Sequence, residues 1–164
     1  VRTMRFLLDH VTPLVELGRD DIDSGMVEAV LEEAAKLASQ VLAPLNWTGD
    51  QDGAVCENGV VKTAAGFKEA YAQYRDGGWN AVPFDPAHGG QGLPWLLSFP
   101  IQEMWQGANL SFGLCPLLNQ GAVDAIEVHG SAYLKETYLE KLISGHWTGT
   151  MNLTEPQAGS DLSL

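Results

Sequence analysis

The sequence predicts a mainly α-helical, multi-helix domain followed by the first strand of a second, β-type domain of which only the start is present. Three observations support this fold class. Apolar residues recur at steps of three and four along most of the chain, which is the period of an amphipathic helix. Glycine and proline separate these segments at short intervals. A pattern rich in β-forming residues with rough alternation occurs at residues 147–154.

The first clear helix is predicted from Ser24 to Leu42. Asp23 or Ser24 is suited to cap its first turn, and Pro44 is expected to end it. Its apolar residues form one stripe for burial, which consists of Val27, Val30, Leu31, Ala34, Leu37, Ala38, Val41 and Leu42. Residues 46–62 are rich in asparagine, aspartate and glycine, and therefore predict a loop.

A short helix is predicted at Ala64–Asp76, with Gly77-Gly78 as its exit. The next stretch, Trp79–Leu93, contains two prolines and several glycines and predicts an irregular loop. Pro94 suits the first turn of a further helix that extends to Gln106. Pro100 should bend that helix or mark its true start.

The helix predicted at Ser111–Val128 is apolar on every side, which is typical of a helix central to its bundle. It is followed by His129-Gly130 and by a helix at Ser131–Ser144 that ends at Gly145. The side of that last helix predicted to be buried consists of Leu134, Tyr138, Leu139 and Leu142. The strand predicted at 147–154 then begins the β-type domain.

Composition excludes several classes of function. The 164 residues carry 9 Lys and Arg against 21 Asp and Glu, a formal net charge of −12, so a nucleic-acid partner is not expected. Cys56, Cys115 and the four histidines show no metal-ligand spacing, so no metal site is predicted, and reduced thiols favour a cytoplasmic location. The start of the chain is too weakly apolar for a secretory signal, and no apolar run approaches the roughly 20 residues of a membrane-spanning helix.

Residues 151–161 carry the most informative chemistry. Thr154 places a hydroxyl at the end of the predicted strand, and Pro156 favours an extended Glu155. Ala158, Gly159 and Ser160 are small enough for a flat ligand to lie against the backbone, where N–H groups and hydroxyls are available to donate. Such an edge can bind a heterocycle with several acceptors. On residue types alone, an ordinary strand-to-loop transition is the favoured explanation of this segment.

The stretch Leu153-Thr154-Glu155-Pro156-Gln157-Ala158-Gly159-Ser160-Asp161 resembles the T-E-P-x-A-G-S-D signature of the acyl-CoA dehydrogenase family. Two further segments are similar to family patterns, namely Gly78-Trp79 with Pro83 and the run 88–93, and His129-Gly130 with Lys135, Tyr138, Leu139, Leu142 and Gly145. The resemblance covers residues 24–164. It implies an N-terminal extension at 1–22, a helical domain at 23–146 and the start of a middle β domain at 147–164. The opening run 4–9 resembles an extension in a longer subgroup that includes methylmercaptopropionyl-CoA dehydrogenase.

The resemblance also implies ligands and contacts. The main chain of Met151, Asn152 and Leu153 and the hydroxyl of Thr154 would bind the pyrimidine side of the FAD isoalloxazine. Ser160 and Gly159 would face the thioester arm of an acyl-CoA substrate. Leu114, Leu117 and Gly121 would line the slot for the acyl chain, although apolar helix residues more often belong to a core.

The implied reaction is α,β-dehydrogenation of an acyl-CoA thioester, in which a carboxylate removes the α proton and hydride passes from the β carbon to flavin N5. In the family that carboxylate belongs to a C-terminal helical domain, so no catalytic residue is expected within these 164 residues, and Glu155 is assigned to the turn instead. This chain alone is therefore expected to be inactive. An electron-transfer flavoprotein or similar acceptor and a homo-oligomeric full-length enzyme are also implied.

Two alternatives remain. One is an acyl-CoA oxidase or flavin monooxygenase on the same scaffold, and the other is a helical interaction module without a flavin. FAD and CoA are polyanions, yet residues 142–164 contain no Lys or Arg. Phosphate contacts are therefore expected from backbone donors, other segments or another subunit.

Overall fold

The computed structural model describes residues 1–163, with Val15 described by its backbone alone, and confirms a mainly helical fold. The α-helices are α1 Arg2–His10, α2 Ser24–Lys36, α3 Ala43–Asp52, α4 Phe67–Asp76, α5 Trp95–Ala108, α6 Leu110–His129 and α7 Ala132–Ile143. The other elements are a π-helix at Leu37–Leu42, 3₁₀ turns at Leu14–Leu17, Trp79–Ala81 and Pro86–His88, and strands β1 Val55–Glu57 and β2 Val60–Lys62.

The helix that starts at Ser24 does not end at Pro44, and this prediction is wrong. The Asp23 carboxylate caps α2 as expected, accepting a 2.8 Å hydrogen bond from the Met26 N–H. A π-helical turn follows, in which the Ala43 N–H donates to the Ala38 carbonyl. Pro44 then lies in the first turn of α3, where its missing N–H is tolerated. The helical backbone therefore continues to Asp52.

The prediction of a loop over 46–62 is also wrong, because α3 and a β-hairpin occupy most of that range. Strands β1 and β2 pair antiparallel with Val55 opposite Lys62 and Glu57 opposite Val60. Asn58 and Gly59 form the turn with φ angles of 52° and 78°. Positive φ at both residues is the geometry that Asn-Gly favours in a two-residue hairpin, so the local signal was present in the sequence.

The irregular segment from Trp79 to Leu93 is confirmed, and it is held by its own backbone. The Gln91 N–H donates to the Ala81 carbonyl at 2.8 Å, and the Leu93 N–H donates to the Val82 carbonyl at 3.0 Å. Helix α4 begins three residues later than predicted, and α5 starts at Trp95 and includes Pro100. This segment therefore joins α4 to α5 as an ordered loop.

Two groups of buried side chains form the core. The larger group lies among α1, α2, α4 and α5, and it includes Leu8, Leu31, Leu42, Tyr74, Leu97, Ile101 and Trp105. The smaller group joins the Trp79–Leu93 segment to α6 and α7 through Phe84, Val123, Leu139, Leu142 and Ile143. Leu8 and Leu14 are buried, so residues 1–22 pack onto the helices that follow.

Helix α6 is not enclosed on all sides in this structure, which contradicts the prediction of a fully central helix. It packs against α5 and α7, and its buried face includes Phe112, Asn119 and Val123. Leu114 and Leu117 on another face are 48% and 43% exposed. Helix α7 buries Leu139 and Leu142 as predicted, whereas Leu134 is exposed. An apolar face of the helical domain is therefore left open.

The strand predicted at residues 147–154 is absent from the part of the chain that the structure describes. Within the described chain, residues 147–154 pair with no other strand. The nearest β-bridge is an isolated one between Glu155 and Ala158. A strand requires a neighbouring backbone to satisfy its N–H and C=O groups. The β-forming composition of this segment is therefore not sufficient to form the strand.

Candidate functional site

A groove of about 440 Å³ lies between α6 and the segment that follows α7. Its lining residues are Leu117, Leu118, Gly121, Ala122, Thr150, Met151, Asn152 and Leu153. Leu117 and Gly121 come from one helix face, about 30 residues before the other wall in the chain. The structure therefore brings two of the predicted acyl-chain residues against three of the predicted flavin residues.

The backbone of the second wall is open for bonding. Within residues 1–163, the main-chain N–H and C=O groups of Met151, Asn152 and Leu153 have no hydrogen-bond partner in the protein. Such groups remain solvated unless a ligand or another segment satisfies them. The wall can therefore present alternating donors and acceptors to a planar heterocycle.

The other predicted ligand residues lie beyond this groove. Thr154, Gly159 and Ser160 are exposed and are not among its lining residues. Glu155 and Ala158 close a turn, in which each N–H donates to the other residue's carbonyl at 3.0 and 3.1 Å. These two N–H groups are therefore not free to bind a ligand. The described residues do not bring Ser160 and Gly159 together with Leu117 and Gly121.

The Glu155 carboxylate belongs to this turn rather than to the groove. Its Oε2 accepts a 2.6 Å hydrogen bond from Gln157 Nε2, two residues later in the chain. A short-range contact of this kind stabilises the turn around Pro156. This geometry agrees with the prediction that Glu155 has a structural role.

A buried polar network fixes the start of the second wall. Asn119 on α6 is 1% exposed, and its Oδ1 accepts a 2.8 Å hydrogen bond from the Gly149 N–H. Its Nδ2 donates to the Leu142 carbonyl at 2.9 Å and to Asn80 Oδ1 at 3.2 Å. Asn119 therefore joins α6, the end of α7 and the chain that leads to the groove.

Asn80 is the second member of this network. Its Nδ2 donates to the carbonyls of Leu142 and Ile143 at 2.6 and 3.0 Å, which satisfies two acceptors at the C-terminus of α7. Its Oδ1 accepts from the Tyr74 hydroxyl at 3.1 Å. Burial raises the pKa of the Tyr74 phenol well above its usual range, so this hydroxyl stays a donor.

The chain between α7 and the groove is attached at two further points. The Tyr71 hydroxyl donates to the Gly145 carbonyl at 2.9 Å, and burial raises the pKa of Tyr71 to about 12. The Trp147 N–H donates to the Lys141 carbonyl at 3.0 Å, while the Lys141 ammonium lies 4.2 Å from the centre of the Trp147 ring. These contacts hold residues 145–147 against α4 and α7.

The groove is apolar and carries no cationic side chain among its lining residues. The groove lining therefore offers no cationic side chain to a phosphate. Within residues 1–163, no set of three or more His, Cys, Asp or Glu side chains is arranged to hold a metal ion. Over the same residues, no helix combines the length and the apolarity that crossing a membrane requires.

Sequence reasoning did not identify Asn80, Asn119 or Gly149. A weak signal existed, because Asn119 is a polar residue in a largely apolar helix and a buried amide needs hydrogen-bond partners. The partners could not be inferred, since they lie 39, 23 and 30 residues away in the chain.

The chain is similar in sequence to known proteins over most of its length. Residues 26–146 match the sequence profile described as "Acyl-CoA dehydrogenase, N-terminal domain". The chain is 46% identical over 167 aligned residues to 3-methylmercaptopropionyl-CoA dehydrogenase of Ruegeria pomeroyi, covering 99% of this chain and 28% of that protein. It is 37% identical to a butyryl-CoA dehydrogenase of Syntrophomonas wolfei, covering 88% of this chain and 23% of that protein. The chain thus spans about a quarter of the length of these curated relatives.

Solved structures show the same fold. Butyryl-CoA dehydrogenase from Megasphaera elsdenii superposes with a TM-score of 0.66 at 20% identity, covering 88% of this chain and 36% of that one. At this level of identity the likeness supports the arrangement of the helices alone.

Proposed function

This chain belongs to the acyl-CoA dehydrogenase family, and on that premise we propose that it is the N-terminal part of an FAD-dependent acyl-CoA dehydrogenase. The observation that carries the proposal is the groove in which Leu117 and Gly121 on α6 face the open backbone of residues 151–153. An apolar wall opposite a row of free donors and acceptors suits an acyl chain beside a planar heterocycle. The substrate class is therefore an acyl-CoA thioester.

The residues present fit FAD at one edge of the cofactor. The free main-chain groups of Met151, Asn152 and Leu153 match the alternating donors and acceptors of an isoalloxazine pyrimidine edge, and the Thr154 hydroxyl would add one donor. When bound there, FAD would supply the hydride acceptor for oxidation of the α,β carbon–carbon bond. The remainder of the cofactor would be held by parts of the protein beyond these residues.

The role of this chain in the reaction is to bind and orient. Leu117 and Leu118 would pack along the acyl chain and exclude water from one side of the reacting carbons. Ser160 and Gly159 would contact the thioester arm once the β-type domain completes their surroundings. No residue of this chain is proposed as the catalytic base, because Glu155 is bonded within its own turn.

The name of the Ruegeria pomeroyi relative suggests a short sulfur-containing acyl group as a first substrate to test. We propose that an electron-transfer flavoprotein or a similar protein accepts the electrons from the reduced flavin. We also propose that the full-length enzyme is a homo-oligomer with a cytoplasmic location. We also propose the domain division at residues 22–23 and 146–147. An oxidase or a monooxygenase on the same scaffold would differ from a dehydrogenase in its reaction with oxygen. The reduced full-length protein would rapidly form peroxide if it is an oxidase, or an oxygenated product if it is a monooxygenase.

The decisive experiment is purification of the full-length protein that carries this chain, followed by spectroscopy with acyl-CoA substrates. A yellow protein whose visible absorbance is bleached anaerobically by an acyl-CoA is the expected result. A colourless protein that cannot be reconstituted with FAD would refute the proposal and favour the helical interaction module.

Thr154→Val tests the flavin edge, since it removes a hydroxyl and keeps the shape of the side chain. The expected result is weaker FAD retention by about tenfold, as for the loss of one hydrogen bond. Thr148→Val is the matched control, because Thr148 is exposed and does not line the groove. Equal FAD affinity in the two variants would remove Thr154 from the site.

Ser160→Ala tests the assignment of the thioester arm. The apparent substrate constant should rise more than the FAD dissociation constant, because Ser160 is assigned to substrate and not to cofactor. Ser163→Ala is the control, since the Ser163 hydroxyl already donates to the nearby Asp161 carboxylate at 2.6 Å. Equal effects of Ser160→Ala on both constants would contradict the assignment.

A further inference from the structure

We propose that Asn119 is a positioning residue that sets the spacing between the two walls of the groove through its hydrogen bond to Gly149. This inference rests on the proposed function, because it concerns the same groove. Asn119 lies on α6, which supplies the apolar wall, and Gly149 lies two residues before Met151, which begins the backbone wall. One buried amide therefore joins the two surfaces that would hold acyl chain and flavin.

The orientation of the Asn119 amide is determined by its partners. The Gly149 N–H can only donate, so it requires the Asn119 oxygen, which lies 2.8 Å away. The Leu142 carbonyl can only accept, so it requires the Asn119 nitrogen, which lies 2.9 Å away. Rotating the amide by 180° would place its nitrogen against the Gly149 N–H, and its oxygen against the Leu142 carbonyl and Asn80 Oδ1, so all three hydrogen bonds would be lost. A single arrangement of α6, α7 and Gly149 therefore satisfies all these groups.

The bond to Asn119 is the last internal attachment before the backbone wall. Upstream, Trp147 is held by the Lys141 carbonyl. In the described chain after Gly149, no hydrogen bond occurs until Glu155 pairs with Ala158. The hydrogen bond at Gly149 therefore determines the distance between residues 150–153 and helix α6.

Close packing at Gly149 supports the same conclusion. A Cβ added at Gly149 would lie 2.4 Å from the Cβ of Ala122, which is shorter than any normal carbon–carbon contact. Ala122 is itself a lining residue of the groove. The absence of a side chain at Gly149 lets the chain approach α6 closely enough for the hydrogen bond to Asn119. Any side chain there would lift the backbone wall away from Leu117 and Gly121.

The first test compares Asn119→Leu with Asn109→Leu in the full-length protein. Asn109 is equally buried and is the N-cap of the same helix, where it accepts a hydrogen bond from the Phe112 N–H and donates one to the Leu42 carbonyl, away from the groove. Both variants should lower the melting temperature. Asn119→Leu alone should raise the FAD dissociation constant by about tenfold and shift the visible flavin band.

The second test is a compensating pair that does not depend on removal of a buried polar group. Gly149→Ala should weaken FAD binding, and adding Ala122→Gly should restore at least half of the lost affinity in fold-change, because it removes the 2.4 Å contact. Equal FAD affinities for Asn119→Leu and Asn109→Leu, or no rescue of Gly149→Ala, would overturn the inference. If the unmodified protein binds no FAD, the proposed function fails, and this inference fails with it. If the unmodified protein binds FAD, the proposed function stands, and these variants test only the positioning role of Asn119.

Discussion

Replacing Asn80 with leucine is expected to destabilise the helical domain strongly, because Asn80 is the only hydrogen-bond partner that the described part of the chain offers to two buried groups. Within residues 1–163, the Tyr74 hydroxyl and the Ile143 carbonyl have no other hydrogen bond, whereas the Leu142 carbonyl keeps its bond to Asn119. Each stranded group costs about 1–3 kcal/mol, so the free energy of unfolding should fall by about 2–6 kcal/mol. For a chain of this size each kcal/mol corresponds to roughly 2–4 °C in melting temperature.

The assay is equilibrium urea denaturation followed by tryptophan fluorescence, with thermal denaturation as a second measure. Tyr74→Phe supplies a double-mutant cycle, since it removes the hydroxyl that Asn80→Leu would leave unpaired. The two changes should therefore cost at least about 1 kcal/mol less together than the sum of their separate effects. Asn46→Leu, at an exposed position of α3, is the control and should change stability by less than about 0.5 kcal/mol. A loss below about 1 kcal/mol for Asn80→Leu, or no coupling with Tyr74, would refute this account of the network.

Two further predictions concern stability. Gly90→Ala should destabilise the domain by several kcal/mol, because an added Cβ would lie 1.9 Å from the Phe84 carbonyl oxygen. Its control is Gly107→Ala in α5, which has open space around it and should stabilise the domain by about 0.5–1 kcal/mol. Equal effects of the two variants would show that the Trp79–Leu93 segment rearranges freely. The pKa of Tyr71 is raised from 10.0 to about 12 in the folded state, so the unfolded chain ionises first and the stability from Tyr71 is present below pH 10 and lost as the pH rises to 12. The urea midpoint of Tyr71→Phe should therefore fall less steeply than that of the unmodified chain between pH 10 and 12, and parallel curves would contradict this.

The helical part of the fold was largely predictable from local signals. The apolar stripe of α2 and the Asp23 cap specify that helix within a few residues. The errors arose where local signals conflict or require the third dimension. Pro44 normally ends a helix, but a π-helical turn before it lets α3 continue. The Asn58-Gly59 pair is a local hairpin signal, and it outweighs the loop-like composition of residues 46–62.

The candidate site was only partly predictable. The resemblance of residues 153–161 to a family signature predicted the segment and the ligand class, and the structure places Met151, Asn152 and Leu153 in a groove with Leu117 and Gly121. Sequence reasoning missed Asn119 because its hydrogen bonds link positions that only folding brings together. The roles of Thr154, Gly159 and Ser160 stay predictions, since their side of the site lies beyond the groove.

Family, helical class and the positions of most of the longer helices follow from the amino-acid sequence, because these depend on short-range periodicity, capping and a local signature. Which faces stay open and which backbone groups remain unpaired depends on the packing of the whole chain. The strand predicted at 147–154 shows the physical reason, since a strand exists only where a neighbouring backbone completes its hydrogen bonds. For the same reason, only the folded chain could show that Asn119 and Gly149 lie within hydrogen-bond distance of each other.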